Sequence, residues 1–99
     1  MLIDAREIRG RILKILNVDY TNGANDRTIG LTLNDIHYSV SPAEKDAHIQ
    51  FLIDLGYVQA EQIENEKLGL CMKVLKLTPK GKNVVDGYEP ADPGVKVKW

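Results

Sequence analysis

The sequence predicts one α+β domain in which three helices precede a two-stranded hairpin and a short fourth helix. Three observations predict this class. The stretch SPAEKDAHIQFLIDLGYV, residues 41–58, starts with a capping serine and a proline and reaches a glycine near its end. Apolar and polar residues then alternate on both sides of the turn NEKLG, as they do in the strands of a hairpin. The pair Thr78-Pro79 repeats the cap-then-proline signal before PKGKNVVD.

Length and composition are those of a small globular domain. The chain has 99 residues, of which 43% are hydrophobic and 27% charged, enough for a modest core. No apolar run is long enough to span a bilayer, and the first residues lack the apolar core of a signal peptide, so we expect a cytoplasmic location. Cys71 is the single cysteine, which excludes an internal disulfide framework. Its apolar neighbours predict a buried thiol.

Two helices are predicted before the central one. Asp4 is placed to cap a first helix that reaches about Leu16. Asn25 or Asp26 caps a second helix, although a start at Thr32 stays open. Their apolar positions recur at helical spacing, and these are Ile8, Ile12, Ile15 and Leu16 in the first helix and Ile29, Leu33 and Ile36 in the second. The intervening NVDYTNGAND predicts a loop.

The third helix has the clearest end signals. Ser41 and Glu44 have the spacing of a capping box, and Pro42 fits the first helical position. Gly56 suits the left-handed position that follows a helix. Because a helix turns by 100° per residue, the inward face of residues 42–55 is expected to hold His48, Phe51, Leu52 and Leu55. The outward face holds Asp46, Gln50 and Asp54, with Ala43, Lys45 and Ile49 at the margins. We expect His48 to be packed and hydrogen-bonded to backbone.

The rest of the chain is predicted as a hairpin, a helix and a tail. YVQAEQIE reads as a half-buried strand and LCMKVLKLT as its partner. Thr78 caps the fourth helix and Gly87 ends it. The expected core side chains are Val74 and Leu75 or Leu77 in the second strand, and Val84 and Val85 in the helix. Residues 1–89 thus form the predicted domain. Residues 90–99 form a tail on the surface or extending from it, whose last residue, Trp99, packs on its own domain, joins a partner strand or stays disordered.

This order of elements resembles that of the winged helix-turn-helix, with a three-helix core, the hairpin as the wing and a short C-terminal helix. HIQFLIDLGYV resembles a recognition helix running into the wing, and LKLTPKGKNVVDG resembles the end of the wing in MarR-, PadR- and ArsR-like regulators. AREIRGRILKILN, LTPKG and PADPGV are similar to small proteins of Mu-like phages and prophages. The resemblance implies a DNA-binding role and a homodimer. ArsR-like metal sensing is not carried over, because the chain has one cysteine and two histidines.

Charge is distributed unevenly along the chain. Residues 17–66 hold only Arg27 and Lys45 against nine carboxylates, whereas residues 67–99 hold seven lysines against three carboxylates. Binding to DNA depends on neutralising phosphates, so the acidic third helix predicts weak phosphate contact by itself. Gln50 is placed to pair with adenine in the major groove. The predicted DNA-binding residues are Lys45, Gln50, the wing residues Lys67 and Lys73, and Arg6 and Arg9 of the first helix.

No catalytic chemistry is predicted. The sequence lacks a phosphate loop, a dinucleotide fingerprint, a nucleophile elbow and an HExxH helix, so we expect no enzyme, metal, cofactor or small-molecule ligand. Two functions remain. The first is a protein of phage or prophage origin that binds double-stranded DNA, as a transcriptional regulator would. The second is a protein-interaction module of phage assembly or DNA packaging that sets the acidic third helix against a basic partner, without direct DNA contact.

Overall fold

Helices and strands follow each other in the predicted order, with one short strand added. The computed structural model describes residues 4–98, and in them the α+β class is confirmed. Within this range four α-helices accompany one three-stranded antiparallel sheet. The elements are α1 (Ala5–Val18), β1 (Ala24–Asn25), α2 (Asp26–Asp35), α3 (Pro42–Asp54), β2 (Val58–Asn65), β3 (Leu70–Leu77) and α4 (Pro79–Asp86).

The first two helices begin where the sequence predicts. The Asp4 carboxylate accepts a hydrogen bond from the backbone N–H of Arg6, and the Asn25 side chain accepts one from Thr28. The start at Thr32 is therefore wrong, since α2 already begins at Asp26. The predicted loop NVDYTNGAND is wrong at both of its ends. Helix α1 continues two residues beyond Leu16, and Ala24–Asn25 form a strand that pairs with β3.

Helix α3 has both of its predicted ends. The Glu44 N–H donates to Ser41 Oγ over 3.2 Å, and the Ser41 N–H donates to Glu44 Oε1 over 3.3 Å, which completes the capping box. Gly56 follows the helix with a φ of +79°, a conformation that side chains disfavour. The predicted inward face is wrong in its centre, because Ile49 is buried with Leu52, whereas Phe51, Leu55 and His48 are only half-buried. This rotation follows from packing against both α1 and the start of β2.

The hairpin is anchored at its base and projects beyond the core. Strand β3 lies between β1 and β2, and the β2–β3 register runs from Val58 opposite Leu77 to Asn65 opposite Leu70. Within β2 only Val58 is buried, so the prediction of a half-buried strand is wrong over most of its length. Cys71 is exposed rather than buried for the same reason. Its apolar neighbours lie on a part of the hairpin that no helix covers.

The residues after α4 return to the core. Helix α4 is capped by Thr78 and followed by Gly87 in the left-handed conformation, as predicted. Val95, in the segment predicted to be a surface tail, is only 5% exposed and belongs to the hydrophobic core cluster. Residues 95–98 form no strand, and Trp99 lies outside the described residues. The core thus combines side chains from helices, sheet and C-terminal segment: Ile8, Ile12, Leu13, Leu16, Ile29, Leu33, Val40, Ile49, Leu52, Tyr57, Val58, Leu75, Leu77, Val84 and Val95.

Candidate functional site

The exposed face of α3 is acidic and its polar groups are engaged with one another. Asp46 and Asp54 are exposed, together with Glu44 of the first turn. The Gln50 amide, which the sequence places against a base, donates from Nε2 to Asp54 Oδ1 over 2.9 Å. In this arrangement the amide already has an acceptor four residues along the same helix. The face therefore offers carboxylate oxygens to whatever approaches it.

Lys45, the cation of α3, is turned inward. Its residue is 9% exposed, and its stem passes beside Gly30 of α2. The ammonium lies 3.5 Å from Asp46 Oδ1 and 3.8 Å from Asp26 Oδ2. The side chain thus links α3 to the start of α2 by an ion pair and by packing of its methylenes. It is not displayed to a polyanion in this conformation.

Arg6 and Arg9, the two α1 arginines predicted to contact DNA, contribute to structure. Arg6 donates from Nη2 to Asp4 Oδ2 over 2.8 Å. The hydrogen bonds from the side chain and the backbone N–H of Arg6 lower the pKa of the Asp4 carboxyl to about 2. Arg9 donates to His48 Nδ1 over 3.2 Å and to the Gly94 carbonyl over 3.0 Å, with its guanidinium 3.8 Å from the centre of the Phe51 ring. His48 therefore has a side-chain partner rather than the expected backbone one.

Lys67 and Lys73, the two hairpin lysines predicted to bind DNA, differ from these cations in having no partner among the described residues. Lys67 lies in the single 3-10 turn, Glu66–Leu68, that joins β2 to β3, and Lys73 lies on β3 opposite Gln62. Both are exposed, and neither lysine side chain makes a hydrogen bond or ion pair to another part of residues 4–98. Their charges are therefore available to an anionic ligand. Glu64 and Glu66 lie close to them in sequence, so residues 64–73 have no net charge and any attraction depends on the two ammonium groups themselves.

A third available cation is Arg27, which is not among the residues predicted to bind DNA. Arg27 is the second residue of α2, is exposed, and like the hairpin lysines makes no ion pair within the described part of the chain. It lines a groove of about 500 Å³ between the start of α2 and the hairpin, and Lys73 lines the same groove. The available signal was its place two residues after the Asn25 cap in an otherwise acidic stretch. Its proximity to Lys73 depends on the pairing of β1 with β3, and β1 was not predicted.

The structure therefore separates the six predicted residues into two groups. Lys45, Gln50, Arg6 and Arg9 are engaged in contacts within the protein, whereas Lys67 and Lys73 are available and are joined by Arg27. Within residues 4–98 no three His, Cys, Asp or Glu side chains are grouped so as to hold a metal ion. No helix in this range has the length and hydropathy needed to cross a bilayer.

Comparisons with known proteins give no further assignment. The sequence matches no protein-family model and no curated protein.

Proposed function

We propose that the protein is a winged helix-turn-helix that binds double-stranded DNA through its hairpin and the start of α2. The order α1, β1, α2, α3, hairpin and the sheet order β1-β3-β2 support this assignment. In it α3 is the recognition helix by position, and the β2–β3 hairpin is the wing. The observation that carries the proposal is that Arg27 and Lys73 line one groove, unpaired, with Lys67 nearby at the tip of the same hairpin.

The charges set the mode of binding. Each phosphate contact made by a lysine or arginine releases condensed counterions, so three contacts give a slope of log K against log salt of roughly −2.7. The carboxylates of α3 oppose close approach of the phosphate backbone. We therefore expect weak binding with little base readout by a single domain. Binding to two half-sites by a homodimer would raise the affinity, as expected for a phage or prophage regulator.

The test is a salt titration of the intact chain with labelled DNA duplexes. One duplex has a random sequence, and the others are a set of genomic sequences from around the gene that encodes the protein. Micromolar or tighter binding at about 50 mM salt that weakens steeply with added salt supports the proposal. A duplex from the set that binds more tightly than random sequence indicates a regulator. Absence of detectable binding to every duplex at about 50 mM salt overturns the proposal.

A second function is favoured by a different observation, the acidic face of α3. Glu44, Asp46 and Asp54 are exposed, whereas the lysine of this helix is buried against α2. Such a face fits a basic protein partner in phage assembly or DNA packaging. The variant Asp46→Lys with Asp54→Lys distinguishes the two functions. It strengthens DNA binding if α3 faces the duplex, and it abolishes binding to a lysine-rich peptide if α3 receives a basic partner.

A further inference from the structure

The C-terminal segment 91–97, here called the strap, is held on α1 and α3 without any strand pairing. Its Val95 side chain is 5% exposed in the core. The Lys96 N–H donates to the carbonyl of Arg6 over 3.0 Å, and the Asp92 N–H donates to the Tyr57 hydroxyl over 3.0 Å. Gly94 lies so close to Phe51 that an added Cβ would be 2.6 Å from the ring. The strap is thus fitted to the surface of the domain.

Arg9 is the residue that connects the strap to both helices. From α1 its Nη1 donates to the carbonyl of Gly94, its Nε donates to His48 Nδ1, and its guanidinium lies over the Phe51 ring. His48 and Phe51 both belong to α3. The position of the guanidinium is therefore fixed by α3, and the strap takes its hydrogen bond from that fixed group.

The bond between Arg9 and His48 requires a neutral imidazole. A guanidinium has only donors, so Nδ1 must carry a lone pair, and the ring proton is then on Nε2. Burial, and then the charge of Arg9, lower the pKa of His48 below 6.5, while Glu44 acts in the opposite direction. Protonation would place a second cation 3.2 Å from Arg9 Nε and remove the acceptor.

We infer that the strap is a pH-sensitive latch, in which protonation of His48 frees Arg9 from α3 and thereby weakens its hold on the Gly94 carbonyl. The charged groups around this latch are Arg9 on α1, Glu44 on α3, and Asp92 and Lys96 on the strap. The Asp92 carboxylate accepts from the Gly94 N–H, and the Lys96 charge acts on Asp4. Release uncovers the Phe51 ring and the core position that Val95 fills.

The direction of the pH effect follows from linkage. Because the closed form lowers the pKa of His48, the open form binds protons more readily. The closed form is therefore fully favoured above pH 6.5. As pH falls below 6.5, the open fraction rises by up to about tenfold per pH unit until the pH reaches the pKa of the closed form.

The test is amide hydrogen exchange of the intact chain, measured between pH 7.5 and pH 5 and expressed as protection factors. We expect the Asp92 and Lys96 amides to lose protection below pH 6.5, while amides in the middle of α1 keep theirs. Equal losses in the strap and in α1 overturn the inference, because they report global unfolding. The His48→Asn variant supplies the control, since its Oδ1 accepts from Arg9 but does not titrate. Strap protection that stays independent of pH in this variant supports the latch, and a pH dependence equal to that of the natural protein contradicts it.

A second measurement does not depend on the variant. The ring nitrogens of His48, followed by NMR, should show the Nε2-protonated neutral form at pH 7.5 and a pKa below 6.5. A pKa at or above 6.5 overturns the latch, because protonation would then not favour the open form. A neutral form protonated on Nδ1 also overturns it, because that nitrogen could not accept a hydrogen bond from Arg9.

Discussion

Helix α3 and the β2–β3 hairpin differ in which of their charges reach the surface. Helix α3 exposes Asp46 and Asp54 and buries its lysine in an ion pair with Asp26 and Asp46. The hairpin exposes Lys67 and Lys73 without any partner inside residues 4–98. Position in the fold therefore favours α3 as the element that contacts DNA, whereas the available positive charge favours the hairpin. If the protein binds DNA as proposed, contact with the phosphates depends on the hairpin and α2, because the exposed face of α3 is acidic.

The largest expected effect separates the base of the hairpin from its distal half. Leu75 is fully buried, whereas Ile63 on the paired strand is 42% exposed. We expect Leu75→Ala to reduce the free energy of unfolding by about 2–5 kcal/mol, and Ile63→Ala by less than about 1 kcal/mol. Urea denaturation of the two variants provides the measurement. Equal losses in the free energy of unfolding would show that the distal half of the hairpin contributes to stability as much as its base does.

The next effect concerns the available lysines. We expect Lys67→Glu with Lys73→Glu to weaken duplex binding by at least about a hundredfold, since each of the two lost hydrogen bonds to a charged group is worth roughly 1.5–3 kcal/mol and about 1.4 kcal/mol is tenfold. Fluorescence anisotropy at constant salt measures the change. The matched control, Lys96→Glu with Lys98→Glu, makes the same change in net charge on the C-terminal segment. Equal weakening by both pairs would show that net charge, rather than the hairpin, governs binding.

A smaller effect is expected at the start of α3. Ser41→Ala removes the hydroxyl that accepts from the Glu44 N–H and should destabilise the domain by about 1 kcal/mol. Ser39→Ala, at an exposed position just before the cap, serves as the control. The hydrogen bonds of Ser41 lower the pKa of Glu44 below 4.5. The stability that this carboxylate contributes is present above pH 4.5 and is lost as the pH falls through its lowered pKa. Thermal unfolding at pH 6 and pH 3 should therefore show that Ser41→Ala lowers the unfolding temperature less at pH 3 than at pH 6. An equal decrease at both pH values would contradict a stabilising capping box between Ser41 and Glu44.

The smallest effects are expected for the two α3 residues that the sequence suggested as DNA contacts. Gln50→Ala removes an amide that already bonds to Asp54, and Lys45→Met keeps the packed stem but removes the buried charge. We expect both variants to bind duplex DNA within about twofold of the natural protein, which is under roughly 0.5 kcal/mol. A tenfold loss of affinity in either variant would show that α3 contacts the DNA and would contradict the assignment of the contacts to the hairpin and α2.

The sequence was sufficient for the elements whose signals are local. Caps at Asp4, Asn25, Ser41 and Thr78 involve residues within a few positions of each other, so the sequence alone locates the helix starts. The two-residue strand β1 has no periodicity of its own and exists because Ala24 pairs with Leu75. The contacts of Lys45 and Arg9 within the protein cannot be read from the sequence, because their partners Asp26 and Gly94 lie 19 and 85 residues away. Which cations remain available is a tertiary property.

The C-terminal tail also shows that local sequence signals do not reveal tertiary contacts. Two prolines and a glycine in YEPADPGV correctly indicate irregular backbone. They give no information about the core position that Val95 fills, because the contacts that hold this segment in place are made by distant residues of α1 and α3 and by Tyr57. A segment with irregular backbone can still be packed, and this one is packed against the core.

The most direct test compares salt slopes for two neutralised variants on one duplex. In the first, Arg27, Lys67 and Lys73 are changed to Gln, and in the second Asp46 and Asp54 are changed to Asn. If the hairpin and α2 make the phosphate contacts, the first variant lowers the magnitude of the slope by roughly 2.7, while the second binds more tightly with a slope close to that of the natural protein. An unchanged slope in the first variant, or weaker binding by the second, would contradict the account.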